Sequence, residues 1–228
     1  MDNTGRYETL YGDKVIMQRE DLYRFTSDAV ALSRFARLKK GDAVADFCAG
    51  CGIVGLHAMA LNPEISSLTL YELQGELCDL ARQTVIKNGD EEKVTVVQGK
   101  IQDIPASENG KYDAVLCNPP YFKAGSGEGK ETVSQRIAKQ EVTVTLNEII
   151  SVAAKKLRFG GKLFLCHVAQ RLTDVLCAMR EYKIEPKRLR FLTRTEGGAP
   201  YLILVEGARG GNPGLTVEKS EVNQCSTL

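Results

Sequence analysis

Residues 43–56 read Ala43-Val44-Ala45-Asp46-Phe47-Cys48-Ala49-Gly50-Cys51-Gly52-Ile53-Val54-Gly55-Leu56. Five residues that are apolar except for one acid predict a buried strand. The small residues and glycines after them predict a tight turn, and the apolar stretch from Ile53 predicts a helix. In an open parallel sheet ligands sit beyond the carboxyl ends of the strands, and a glycine turn there lets a bulky ligand approach the backbone. The spacing is informative. A dinucleotide fingerprint, G-x-G-x-x-G, aims backbone N–H groups at a pyrophosphate, whereas from Cys48 this chain has C-x-G-x-G-x-x-G through Gly55, with Asp46 at the entrance. A carboxylate there repels a pyrophosphate and suits the ammonium group of a methionine moiety. A purely structural strand-to-helix turn is the alternative reading.

Outward from this turn, strand and helix patterns alternate. Ala43–Phe47, Leu68–Tyr71, Val94–Val97 and Tyr112–Cys117 read as strands, with helices over Ile53–Leu61 and Gln74–Asn88 between them, the rhythm of a parallel sheet. Upstream, Lys14–Gln18 reads as a short strand, and a helix capped near Thr26, Ser27 or Asp28 is expected to run to Gly41. Downstream, residues 123–130 are too glycine-rich to pack. A helix is predicted over Leu146–Leu157, stopped by Gly160-Gly161, then a strand over Lys162–Val168 and a helix over Arg171–Tyr182. The segments around Leu189–Leu192 and Tyr201–Val205 are expected to pair as an antiparallel hairpin. The fold class is therefore α/β and Rossmann-like, with a mostly parallel seven-stranded sheet, a C-terminal hairpin and helices on both faces. A single domain is expected, with a strand and helix extension over 1–40, a core over 41–206 and a flexible tail over 207–228.

Composition narrows the function classes. The 228 residues are 43% hydrophobic and 26% charged, an ordinary soluble balance, and no apolar run approaches the roughly 20 residues of a membrane span. The polar start, Met1 to Arg6, does not read as a secretory signal, so the cytoplasm is the expected compartment. Seven cysteines spread along the chain fit reduced thiols better than a disulfide framework. Cys48-Ala49-Gly50-Cys51 spells C-x-x-C, but no second pair stands at zinc-binding spacing, so no metal is expected. Residues 1–122 carry a net charge of −5 and 123–228 a net +6, which together give the overall +1. A polyanion would favour the second half, although solvated helix faces explain the same charges.

Beyond the turn, Glu72 ends the next strand, where a carboxylate can accept hydrogen bonds from both hydroxyls of a ribose. Gln102 and Asp103, after the third strand, lie at the same sheet edge, where an acid and a backbone N–H can read an adenine; a helix cap is the other use of such an Asp. The cofactor set read here is Asp46, Cys48, Ala49, Gly50, Gly52, Glu72, Leu73, Gln102, Asp103 and Asn118. The catalytic candidates are Asn118, Pro119, Pro120 and Tyr121. Two prolines fix the backbone, so the Asn118 amide oxygen and the Pro119 carbonyl are held as acceptors for the hydrogens of a planar amine, favouring sp³ character as it attacks a sulfonium methyl. Tyr121 offers a flat face for the target ring.

These residues resemble the class I methyltransferases with an N-P-P-[YFW] motif, which act on adenine or cytosine amino groups or on glutamine amides. More closely, Arg24-Phe25-Thr26-Ser27-Asp28-Ala29-Val30, Asn118–Phe122 and Ile184-Glu185-Pro186-Lys187-Arg188 resemble the bacterial tRNA1(Val) adenine-37 N6-methyltransferases, over most of the chain. The resemblance implies S-adenosyl-L-methionine as cofactor, S-adenosyl-L-homocysteine as product, N6 of a tRNA adenine as acceptor, and Phe25 and Asp28 near the cofactor. It departs at Cys48-Ala49-Gly50-Cys51, where relatives more often carry glycine or threonine. Lys123, Lys130, Arg136 and Lys139 are then candidate RNA contacts, with Arg188, Arg190, Arg194 and Arg209 as a second group. The loop after Asn118–Tyr121 is expected to order on RNA. An rRNA base, a protein glutamine amide, or an RNA-binding module without turnover are the alternatives. The roughly forty residues ahead of the first sheet strand disfavour a protein substrate, since glutamine-directed enzymes often add a helical domain there. Monomer and homodimer stay open.

Overall fold

The computed structural model describes residues 5–19, 21–22, 27–119 and 144–223. Strands β3 (Ala43–Phe47), β4 (Ser67–Glu72), β5 (Val94–Gln98) and β6 (Tyr112–Cys117) form the parallel half of the sheet in the order β5-β4-β3-β6. Beside β6 runs β7 (Leu157–Val168), still parallel. Then come β9 (Pro200–Arg209) and β8 (Ile184–Thr193), an antiparallel hairpin that meets β7 through β9. These seven strands match the sheet expected from the sequence. Two further two-residue strands, β10 (Thr216–Val217) and β11 (Glu221–Val222), pair in parallel with the outer edge of β8. A separate hairpin, β1 (Arg6–Tyr11) with β2 (Lys14–Gln18), lies outside the sheet.

Alternation along each strand sends side chains to two cores. Val44, Leu68, Leu70, Leu116 and Phe164 face the helices α1 (Ser27–Phe35), α2 (Ile53–Leu61) and α3 (Gly75–Asn88), together with the β1-β2 hairpin. Ala45, Phe47, Val115, Cys117, Leu163 and Leu165 face α4 (Leu146–Lys156) and α5 (Leu172–Glu181). Helix α4 opens on a capping box: the Thr145 hydroxyl accepts from the Glu148 N–H, and Glu148 accepts from the Thr145 N–H at 2.7 Å. Among the described residues no helix is long and apolar enough to cross a membrane.

Three expectations differ. Helix α1 stops at Phe35 instead of Gly41; Gly41, at φ 82°, closes a turn by donating to the Glu64 carbonyl at 2.8 Å. Helix α4 ends at Lys156 and the chain enters β7 at once, so Gly160-Gly161 lies inside a strand. The β6-β7 register slips between Tyr112 and Ala114, Gly160 takes φ 77°, and a Cβ on Gly161 would stand 2.9 Å from the Arg158 carbonyl. The glycine pair therefore forms a bulge and not a helix stop. Third, the segment expected to be a flexible tail is tied down as far as Asn223. Gly207 to Arg209 complete β9, and Glu218 bonds Arg188 at 3.0 Å and Arg190 at 2.6 Å. Charge pairing holds what the glycine-rich 207–214 stretch does not suggest.

Candidate active site

The registers bring the candidate residues to one edge. Phe47 is paired with Tyr71 and with Cys117, and Glu72 with Gln98, so β3, β4, β5 and β6 all end at the same level. The chain leaving β3 turns sharply through three left-handed residues, Cys48 at φ 58°, Gly50 at φ 57° and Gly52 at φ 90°. Gly52 has no room for a side chain: a Cβ would lie 2.9 Å from both Leu56 and Leu70 methyls. Gly50 is different, because nothing lies within 4 Å of where its Cβ would be. The glycine turn thus presents an open face to an incoming group.

Two buried carboxylates hold the turn. Asp46 is fully buried; its Oδ2 accepts from the Gly55 N–H at 2.8 Å, and its Oδ1 has no hydrogen-bonding partner among the described residues. Burial pushes its carboxyl up to about 8, the Gly55 bond opposing and the neighbouring Glu72 adding to the rise. Glu72 accepts from the Gly50 N–H at 2.9 Å and from the Gln74 N–H at 2.8 Å, and burial raises it despite these bonds. The Leu73 N–H also bonds this carboxylate, which leaves acceptor capacity on Glu72 for a further donor. An orphaned acceptor at Asp46, a backbone-anchored acid at Glu72 and open space over Gly50 fit a ligand with an ammonium group and vicinal hydroxyls.

Of the other expected cofactor contacts, Ala49 is buried and donates to the Tyr71 carbonyl at 3.0 Å, and Leu73 follows Glu72. Gln102 and Asp103 form a short 3-10 turn beyond β5, both exposed; the Gln102 amide reaches Glu148 of the α4 cap at 3.3 Å. Asp28 is buried in the first turn of α1. Asn118 follows Cys117 at the end of β6, half-buried, with Pro119 buried after it. Phe25, Pro120, Tyr121, Lys123, Lys130, Arg136 and Lys139 lie outside the described residues.

The second arginine group separates. Arg188 is buried; it pairs with Glu206, donates to Glu218 at 3.0 Å and to the Phe35 carbonyl at 2.8 Å, and packs on the Phe35 ring. Arg190 donates to Glu218 at 2.9 and 2.6 Å and to Glu221 at 2.5 Å. Arg209 donates to the Leu157 carbonyl. All three guanidinium nitrogens of Arg188 and of Arg190 are engaged by partners within the protein, and buried Arg188 presents no open edge to RNA. Arg194 instead stacks on Tyr201, 4.7 Å from the ring centroid.

One feature had no signal in the sequence. The Cys48 thiol reaches the Cys117 thiol across the β3-β6 register, and burial raises Cys117 well above the ordinary thiol range. Cys51 is likewise buried and pushed up to about 12, so neither Cys51 nor Cys117 is a ready thiolate. Among the described residues no group of three or more His, Cys, Asp or Glu is placed to hold a metal.

A tRNA1(Val) (adenine(37)-N6)-methyltransferase from Shewanella putrefaciens is 28% identical over 163 residues, 70% of this chain and 66% of the relative, so the chain matches just under two thirds of that relative's length. Two solved structures share the fold. A predicted O-methyltransferase, Atu636 from Agrobacterium tumefaciens, has TM-score 0.67 at 17% identity over 87% of each chain. TYW2 from P. horikoshii, in complex with MeSAdo, has TM-score 0.66 at 14% identity over 92% of this chain and 73% of that one. The family model described as methyltransferase small domain matches residues 27–182, which takes in α1, the glycine turn, Glu72, Asn118 and α5; the chain belongs to the methyltransferase small domain family.

Proposed function

We propose that the chain is an S-adenosyl-L-methionine-dependent methyltransferase that methylates N6 of an adenine in tRNA, with adenine 37 of tRNA1(Val) as the first candidate and the cytoplasm as its compartment. The observation that carries the reading is the shared edge of the sheet: buried Asp46 and Glu72 flank an open glycine turn, and Asn118 leaves the neighbouring strand at the same level. Similarity to the Shewanella putrefaciens tRNA1(Val) (adenine(37)-N6)-methyltransferase supports the tRNA substrate.

The cofactor supplies an electrophilic methyl on sulfur. Asp46 would hold the ammonium of its methionine moiety, Glu72 the ribose hydroxyls, and Asp103 with Gln102 the adenine. The Asn118 amide oxygen and the Pro119 carbonyl accept the two hydrogens of the substrate amine. Held so, the amine would keep its lone pair free for attack, and these oriented dipoles would stabilise the positive charge that grows on nitrogen. The substrate amine, held by Asn118 and Pro119, would lose one proton to solvent after transfer. Tyr121 is assigned the stacking of the target base.

Incubation with labelled cofactor and separated tRNA, rRNA and protein fractions tests the substrate: label in tRNA, recovered as N6-methyladenosine, is expected. Label only in rRNA or protein refutes it. Asn118→Ala is expected to lower kcat by about 100-fold or more with cofactor affinity nearly unchanged. A near-normal rate in this variant removes the mechanism.

A further inference from the structure

Most late arginines are consumed by internal partners, and two basic residues near the C-terminal segment, Arg34 on α1 and Arg194 after β8, are not. Among the described residues, Arg34 and Arg194 make no hydrogen bond or ion pair, and both are exposed. Arg194 is held flat by the Tyr201 ring beneath it. Tyr201 is held in turn by its hydroxyl, which accepts from the Asn223 amide at 2.6 Å, and Asn223 is fixed by its N–H donating to the Thr193 carbonyl at 2.8 Å. A planar guanidinium fixed in orientation with its N–H edge unspent is the usual form of a phosphate or base contact.

Arg34 lines a cleft whose wall includes Asn223, the residue that holds the Tyr201 platform of Arg194. A cavity of about 140 Å³ opens between α1 and β11, lined by Ser27, Arg34, Glu221 and Asn223 among others. Glu221, the carboxylate in that lining, is engaged by Arg190 at 2.5 Å, which leaves the rim net positive. Ser27 and Arg34 stand seven residues apart on α1, about 10 Å along the helix. Through Asn223 and Tyr201 the cleft is tied to the same end of the sheet as the transfer site. By register, Leu165 of β7 is level with Cys117, and β9 pairs with β7 as far as Val168, so Tyr201 stands beyond the end of β6.

Resting on the tRNA reading above, we propose that Arg194 on its Tyr201 platform and Arg34 in the cleft lining form a backbone subsite that takes phosphates of the RNA nucleotides flanking the methylated adenine. The subsite positions the strand without reading bases, so it sets affinity and salt dependence and leaves the choice of base to the transfer site.

The experiment measures binding of a fluorescein-labelled anticodon stem–loop RNA, carrying an adenine after the anticodon, to the full chain over a salt series. Arg194→Ala and Arg34→Ala are each expected to weaken binding about five- to tenfold and to lower the log–log salt slope by about 0.7 to 0.9, the value of one phosphate. Tyr201→Leu is expected to reproduce most of the Arg194 loss by freeing its side chain, and Tyr201→Phe, which keeps the ring and loses the Asn223 bond, to show a smaller loss. Unchanged melting temperatures and unchanged cofactor affinity by calorimetry are expected in the arginine variants, which lie on the surface. Wild-type affinity and slope in both arginine variants, with wild-type tRNA methylation intact, overturn the subsite alone. A wild-type chain that methylates no RNA overturns the tRNA reading and the subsite with it.

Discussion

Asp46→Asn isolates the energetic cost of the site. Wild-type Asp46 is fully buried, with its carboxyl raised from 3.8 to about 8. The folded chain therefore binds this proton more tightly than the unfolded chain does. The stabilisation this gives is complete below about pH 4 and is lost as the pH rises through about 8. In that window each pH unit removes about 1.4 kcal/mol, so from about pH 5 to about pH 7.5 wild type loses about 3 kcal/mol on this account. Asparagine cannot ionise. Its carbonyl can still accept from the Gly55 N–H, while its buried NH2 brings a cost of about 1–3 kcal/mol that does not vary with pH.

The expected result is a difference between the two proteins that shifts by about 3 kcal/mol in favour of Asp46→Asn over that range, whatever its absolute value at either end. Urea unfolding of both proteins at several pH values, or thermal melts at about 2–4 °C per kcal/mol for a chain of this size, measures it. A difference that stays constant with pH refutes the argument that burial, with no partner at Oδ1, raises this carboxyl. Glu72 is raised in the same direction, but it is present in both proteins and leaves the difference untouched apart from its small coupling to Asp46.

Glu72→Ala orphans the Gly50 and Gln74 N–H groups and removes the proposed ribose acceptor. It should weaken cofactor binding about 100-fold or more by calorimetry, and unchanged affinity refutes the ribose role. Arg188→Met leaves Glu206, buried and still paired with Lys162, without its second cation. A loss of about 3 kcal/mol in urea unfolding is expected, with the salt slope of RNA binding unchanged; a reduced slope would return Arg188 to the RNA contacts. Cys48→Gly relieves a left-handed residue at a cost in unfolded-chain entropy, so thermal melting should find it equal to wild type or up to about 1 kcal/mol more stable. A clear loss would mean that the Cys48 contact with Cys117 outweighs the backbone strain.

Local signals in the sequence carried most of the parallel half of the molecule. Ala43–Phe47, Tyr112–Cys117 and Ile53–Leu61 have the expected bounds because strand and helix periodicities differ and glycines punctuate them. Elements whose ends depend on distant partners were read less well. β7 begins five residues before Lys162 because β6 is there to pair with Leu157, and β8 begins five residues before Leu189 because β9 runs on to Arg209. The order β5-β4-β3-β6-β7-β9-β8 brings Asp46, Glu72 and Asn118 to one edge. Their residue types were legible, whereas the Gly55 bond that leaves one Asp46 oxygen orphaned was not.

The arginines explain why charge alone misled. A sequence of basic residues from 188 to 209 looks like a surface for a polyanion, yet whether each one faces solvent depends on acids far along the chain. Glu206 is brought to Arg188 by the β8-β9 register, and Glu218 and Glu221 by the short strands on the far edge of β8. Desolvating a guanidinium costs several kcal/mol, so Arg188 stays buried only because Glu206, Glu218 and the Phe35 carbonyl compensate it together. Removing those acids would release donors; their presence makes Arg188 a clamp between the C-terminal segment and α1. Arg194 lies one residue past the end of β8 and beyond their reach, and there the same side chain keeps its donors for another molecule. The line between structural and recognition arginines is therefore drawn by where β8 ends.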